Sequence, residues 1–257
     1  MAIDPAAASG FSQGAEAYAR GRPGYAGEAI DWLLAELALT RGARVLDLAA
    51  GTGKLTAQLV DRGLDVIAVE PIEEMRAQLR RALPAVEALD GTAESLPLPD
   101  AAVAATFVGE AFHWFDAAIA IAEIARVVQP GGGVALLWNR PELTDVPWGP
   151  RWGAIIGPHF QATSASSRWL SREQVRDVFG APGPFDELAS RHFDNVHEVD
   201  REGFVAQTAS MSFIANLPEV ERNDALRRIA ALADDIAGED GSIAMRYRTE
   251  AYWARRA

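Results

Sequence analysis

The stretch Val45-Leu46-Asp47-Leu48-Ala49-Ala50-Gly51-Thr52-Gly53-Lys54-Leu55 constrains this chain more than any other. A short apolar run enters a glycine-rich turn. Leu55 and Leu59 then open a pattern of helical spacing. Glycine has no Cβ, so the backbone at such a turn can approach a ligand closely. The helix behind it offers free N–H groups and the positive end of its dipole. A phosphate-binding loop of the Gly-x-x-x-x-Gly-Lys-Ser/Thr type fails here, because Leu55 follows Gly53-Lys54 and the preceding spacing is wrong. A dinucleotide fingerprint, Gly-x-Gly-x-x-Gly, is incomplete, because Thr56 holds the third glycine position. An Asp-x-Gly-x-Gly-x-Gly pattern matches at Asp47, Gly51 and Gly53, with Ala49 at the first glycine. A strand–helix turn without a ligand also stays open.

The flanking pattern is that of an α/β protein. Apolar runs at 43–49, 64–69, 102–108 and 133–138 read as strands. Their apolar character on both faces implies parallel strands covered by helices. Helices are expected at 26–39, 73–83 and 116–128, and strands alternating with helices argue for an open doubly wound sheet. The helix at 73–83 carries Glu73 and Glu74 at its start and Arg80 and Arg81 at its end, as the helix dipole favours. Asp116 is placed to cap the next helix, and Pro130-Gly131-Gly132 reads as the turn after it. A short helix is expected at 12–19 in an Ala-, Gly- and Pro-rich arm.

The second half differs. Residues 139–170 are rich in Pro and Trp. Ser171 and Gln174 form a capping-box pattern for a helix ending near Gly180. A strand is expected at 188–197, a helix after Asp200 and a long helix at 218–237. At the tail, Ile243, Met245, Tyr247, Thr249, Ala251 and Trp253 alternate with Arg246, Arg248 and Glu250, the period of a strand.

Composition narrows the function. The 24 Lys and Arg against 36 Asp and Glu give a net charge of −12, which disfavours a nucleic-acid backbone as partner. The absence of cysteine excludes disulfides, thiolate metal sites and a cysteine nucleophile, and four scattered histidines predict no metal centre. There is no apolar run of about 18 residues and no signal-peptide pattern at Met1–Gly10, so a cytoplasmic protein without membrane partners is expected.

A second element sharpens the turn. The run Val66-Ile67-Ala68-Val69 ends at Glu70, and an acid there can accept hydrogen bonds from both hydroxyls of a ribose. Five segments together resemble the class I S-adenosylmethionine-dependent methyltransferases, in the broad group that includes ubiquinone/menaquinone-type and trans-aconitate-type enzymes. They are residues 45–56, Val69-Glu70-Pro71-Ile72 with Met75, Gly91-Thr92-Ala93-Glu94-Ser95-Leu96-Pro97, Phe112-His113-Trp114-Phe115-Asp116, and Val128-Gln129-Pro130-Gly131-Gly132. Each is weak alone, and the five in this order at this spacing are specific.

The resemblance implies a Rossmann-like seven-stranded sheet with an antiparallel last strand, formed with the 188–197 segment as its partner. It implies one domain over 1–257, with an arm or lid at 1–25, a cofactor core at 26–139 and substrate-covering additions at 140–257. It implies S-adenosylmethionine as cofactor, S-adenosylhomocysteine as product and no metal. By position, Asp47, Ala49, Gly51, Thr52 and Gly53 would form the turn under the methionine part. Glu70 would hold the ribose, and Pro71, Ile72 and Met75 would pack on adenine. Thr92, Ala93 and Glu94 would form the adenine edge; relatives often have an acid where Thr92 stands. Gly109 and Glu110 would flank the amino group, and Tyr18 and Arg22 would close over the cofactor.

Methyl transfer from a sulfonium is an in-line displacement, so the protein must hold an O, N or C nucleophile close to the methyl. His113, just after the fourth strand, is the candidate catalytic residue, as a general base or as a group that orients the substrate. Trp138, Arg140, Trp148 and Trp152 are candidate walls of a small-molecule pocket, and core filling is the alternative for the tryptophans. Macromolecule methylation, a methyltransferase fold used for other chemistry or regulation, and a nicotinamide oxidoreductase remain as further classes. The expected state is a monomer or homodimer.

Overall fold

The computed structural model describes residues 21–144, 146–161, 175, 177–179 and 183–257. Tyr18, the expected 12–19 helix, Trp169 and the Ser171/Gln174 cap lie outside the described residues. The chain order is α1 (Gly27–Glu36), β1 (Arg44–Leu48), α2 (Lys54–Asp61), β2 (Asp65–Val69), α3 (Glu73–Ala82), β3 (Glu87–Leu89) and β4 (Val103–Gly109). A 3-10 turn at Phe112–Trp114 leads to α4 (Ala117–Val127) and β5 (Val128–Pro141). Then come α5 (Gly149–Gln161), β6 (Ala189–Val199), α6 (Arg201–Ala209), α7 (Ser212–Ala215), α8 (Glu219–Ile236) and β7 (Ile243–Arg255).

The seven strands lie in the order β3-β2-β1-β4-β5-β7-β6. The first five run parallel, and β7 runs antiparallel to both β5 and β6. The strand ends that follow β1, β2 and β4 therefore meet along one edge, where the chain order reverses between β1 and β4. That crevice is where open α/β sheets bind ligands.

Both faces of the sheet are covered, as the unbroken apolar runs predict. One face packs Leu46, Leu136, Trp138 and Tyr252 with Ile121 and Ile124 of α4. The opposite face packs Val45, Phe107 and Leu137 with Ile30 and Leu33 of α1 and Leu59 of α2. A third cluster joins Met245 and Tyr247 of β7 to Trp148, Trp152, Phe204, Ile229 and Leu232 of the later helices. The period-two burial of β7 holds from Ile243 to Ala251. Beyond it Tyr252 is buried too, because that end of the strand lies between two covered faces.

Three local readings change. The Pro130-Gly131-Gly132 stretch does not end an element but lies within β5. Val128 pairs with Val103, and the next pair is Gly133 with Ala105, so the residues between form a bulge with Gly131 at φ 76°. β3 is three residues long with an exposed Glu87, too short and polar to show a period. The first helix stops at Glu36, with Ala38 at φ 53° turning the chain.

Trp148 and Trp152, read from the sequence as pocket walls or as core filling, both lie in the third cluster. Trp148 meets Phe204 edge-on with ring centroids 5.3 Å apart. Trp152 is 3% exposed, and its Nε1 donates to Thr208 Oγ1 over 3.2 Å. Filling between helices is what their apolar area does here. Trp152→Phe is expected to lower unfolding free energy by about 1 kcal/mol through the lost hydrogen bond and volume. Cofactor affinity should stay unchanged; denaturant unfolding and ligand titration together check this.

Candidate functional site

The turn after β1 alternates in hand. Ala49, Gly51 and Gly53 have φ of 56°, 58° and 87°. Ala49 thus keeps the left-handed backbone where the motif has glycine, at a cost of about 1–2 kcal/mol that its neighbours must offset. Gly53 caps α2, and a Cβ there would lie 3.0 Å from Leu79 Cγ. Glycine is required by both angle and space.

Glu70 ties this turn to the next strand. Its side chain is buried, with Oε2 accepting from the Gly51 N–H over 2.8 Å and Oε1 from the Ile72 N–H over 2.9 Å. Each carboxylate oxygen retains lone-pair capacity after one such bond. Burial raises the Glu70 acid above its ordinary range, and the Ile72 and Gly51 amides and the Arg76 charge oppose that. Arg76 donates to the Glu70 carbonyl and pairs with Glu73 and, at 3.2 Å, with Asp90, so the β2–α3 connection is braced from behind. Asp47 is 1% exposed and accepts from Thr56 Oγ1 over 2.5 Å. Burial lifts its acid to about 7, the Thr56 hydroxyl opposes and the Glu70 charge adds. Thr52 is buried in the turn, and its Oγ1 has no hydrogen-bond partner among the described residues.

Ile72 and Met75 are buried beside Glu70, and Pro71 is half-buried. Thr92 and Ser95 close a small turn that buries Ala93. Glu94 Oε1 accepts from the Asp116 N–H over 2.9 Å, which joins the Thr92–Ser95 turn to the start of α4.

Past β4, Glu110 has φ 55°, a strained position for a side chain of this size. Its carboxylate accepts from the Asn139 N–H. Burial raises its acid, opposed by Arg22, the Asn139 bond and Arg140. The Tyr25 hydroxyl lies against Gly109, so closely that a Cβ at Gly109 would be 2.3 Å from it. Arg22 donates to Ser210 Oγ over 2.9 Å, an anchor on the helical side that the sequence did not indicate.

His113 is half-buried in the 3-10 turn, its Nδ1 3.4 Å from Trp138 Nε1. Trp138 itself is 2% exposed and packs edge-on against Tyr252, with its indole N–H directed at His113. Arg140 lies 5.9 Å from the Trp138 ring centre and pairs with Glu250 at 3.3 Å. That pairing offsets the charge an acidic substrate would need. Glu250, Thr249, Asn195 and Tyr25 belong to this neighbourhood and were not singled out by sequence. For Thr249 a signal existed: a polar residue inside the apolar face of β7.

A glycine turn after β1 and a doubly bonded acid after β2 thus meet at the strand-order reversal of a doubly wound α/β sheet, the place where such sheets bind ligands. Comparison with known proteins makes this specific. A family model described as a methyltransferase domain matches residues 46–136. An uncharacterized methyltransferase of Mycobacterium tuberculosis is 42% identical over 222 residues, 86% of this chain and 84% of that protein. The demethylmenaquinone methyltransferase of Beutenbergia cavernae is 35% identical over 121 residues, 47% of this chain and 48% of that one. Among solved structures, phosphoethanolamine N-methyltransferase 2 of Haemonchus contortus in complex with S-adenosyl-L-methionine shares the fold, with TM-score 0.55 and 14% identity over 96% of this chain and 56% of that one. The chain belongs to the class I S-adenosylmethionine-dependent methyltransferases, and it is an enzyme of that family.

Proposed function

We propose that this enzyme transfers a methyl group from S-adenosylmethionine to an O, N or C nucleophile of a small molecule. The observation that carries the cofactor site is Glu70, held by two amides with capacity left on both oxygens. Two adjacent acceptors fit two adjacent ribose hydroxyls, and the orphan Thr52 hydroxyl fits a polar ligand over the turn. Gly51 and Gly53 let the backbone approach the ligand, Ile72 and Met75 supply an apolar wall for the base, and the Thr92–Glu94 turn borders it. Gly109, Glu110 and Arg22 border the amino-acid end. The cofactor, when bound, supplies the electrophilic methyl on a sulfonium. The chain's own contribution is to orient both reactants and exclude water.

Trp138 has only a donor to offer, so His113 Nδ1 accepts and the neutral imidazole carries its proton on Nε2. That favours His113 as a donor that orients the substrate, over the general-base reading. His113→Ala is expected to lower kcat/KM about tenfold, as loss of one substrate hydrogen bond does. The kcat of the parent should show no limb at about pH 6–7, where an imidazole base would titrate; such a limb, abolished by the substitution, would restore the base.

Support for a small-molecule substrate comes from the net charge and from the demethylmenaquinone relative. The test is calorimetric titration with S-adenosylmethionine and with NAD, then S-adenosylhomocysteine release over quinone precursors and small carboxylic acids. Tight binding of NAD alone would overturn the cofactor site. Turnover on protein or nucleic acid but on no small molecule would overturn the substrate class.

A further inference from the structure

The chain enters α1 through residues 21–26, mostly without regular structure, and its backbone polar groups must find partners elsewhere. They find them on side chains from three neighbouring strands and on Gln58 of α2, whose Oε1 accepts from the Tyr25 N–H at 2.9 Å and whose Nε2 donates to the Tyr25 carbonyl at 2.7 Å. The Gly24 carbonyl accepts from Asn195 Nδ2 at 2.8 Å and from Asn139 Nδ2 at 3.1 Å. The Ala26 N–H donates to Thr249 Oγ1 at 3.1 Å, and that hydroxyl donates to Asn139 Oδ1 at 2.6 Å. Asn195 Nδ2 also reaches Asn139 Oδ1 at 3.2 Å. The Gly24 carbonyl can only accept, so the network itself fixes the orientation of both amides. Register explains the convergence. Asn139 of β5 faces Thr249 of β7 directly, and Asn195 of β6 is two residues from the partner of Thr249, on the same face.

Asn139 also acts in a second direction, since its backbone N–H holds the Glu110 carboxylate. The clasped segment carries Tyr25 against Gly109 and Arg22 close enough to Glu110 to lower its acid. We infer that Asn139, Asn195 and Thr249 are positioning residues: they clasp the Gly24–Ala26 backbone so that Arg22 and Tyr25 are held on the amino-acid end of the cofactor site. This rests on the cofactor site proposed above. Apolar side chains at the same three places would leave Tyr25 tied to Gln58 but would strip the Gly24 carbonyl and the Ala26 N–H of their partners. A fully satisfied polar network admits one register.

The test uses the full chain with Thr249→Val, Thr249→Ser and Asn195→Ala. Thr249→Val is expected to weaken S-adenosylmethionine binding about tenfold by calorimetry, the loss of one or two buried hydrogen bonds. Thr249→Ser, which keeps the hydroxyl, is expected to restore affinity to within about twofold on the same reasoning. Asn195→Ala, at a half-buried position that folding tolerates better, is expected to weaken binding about threefold to fivefold. Hydrogen exchange of a peptide spanning 21–27 should slow on adding S-adenosylmethionine in the parent and lose that protection in Thr249→Val and Asn195→Ala. Unchanged affinity in both variants with faster local exchange would make the clasp structural only and overturn the inference. Equal losses in Thr249→Ser and Thr249→Val would overturn it too. A parent that binds no S-adenosylmethionine would instead overturn the cofactor site, whatever the variants do.

Discussion

Glu70→Gln is expected to weaken S-adenosylmethionine binding by about a hundredfold or more, and to do so with the fold intact. The carboxylate faces donors on both oxygens, the Gly51 and Ile72 N–H groups. An amide side chain can satisfy one of them and must turn its own NH₂ toward the other. One charge-assisted bond is lost and a donor–donor clash replaces it, while the remaining oxygen becomes a weaker acceptor for a ligand hydroxyl. Hydrogen bonds to charged groups contribute about 1.5–3 kcal/mol each, so losing two of them reaches the hundredfold range. Glu70→Ala should lose similar affinity by a different route. It leaves two buried amides without partners, at about 1–3 kcal/mol each, and should also lower the melting temperature. Titration calorimetry beside thermal unfolding separates the two. A glutamine variant that binds within threefold of the parent would mean that Glu70 braces the turn and does not touch the ligand.

That prediction rests on a part of the molecule that was legible from sequence. A glycine turn after an apolar run and an acid at the end of the next strand are short-range patterns, set by steric freedom and strand alternation. The parallel core was legible for the same reason, and the seven strands with an antiparallel last one followed from the family resemblance. The clasp was not. Thr249 and Asn139 meet across 110 positions of sequence, and nothing local to either indicates the other. The tryptophans show a further limit. Aromatic content reports how much apolar area must be covered, and not whether protein or ligand covers it. Trp148 and Trp152 sit where helices meet, because the third cluster needs large side chains between α5, α6 and β7. Even the turn held a surprise: Ala49 adopts the left-handed backbone without being glycine, a choice that only the φ angle reveals.

The second large effect is one of pH, and it belongs to Asp47. The carboxyl is buried, and its acid lies at about 7 against an ordinary 3.8. Between those values the unfolded chain has released the proton and the native state still holds it. The native state therefore binds more protons, and stability must fall as pH rises through the window from about 4 to about 7. The full difference of roughly three units corresponds to about 4 kcal/mol, an upper figure because real interiors screen better than a dry medium. Asp47→Asn removes the titration and keeps an oxygen to accept from the Thr56 hydroxyl, which now bonds at 2.5 Å. Its new NH₂ lacks an evident partner, at about 1–3 kcal/mol. The variant is therefore expected to be less stable than the parent at pH 5 and to regain about 2–4 kcal/mol relative to it by pH 8. Urea unfolding of both proteins at the two pH values measures the crossover. Glu70 shifts in the same direction by its own burial, so some slope should survive in the variant. If the two proteins instead lose stability in parallel, the proton is not on Asp47 in the native state. The Thr56 hydroxyl and the dipole of α2 would then be enough to hold a buried charge at the base of the turn.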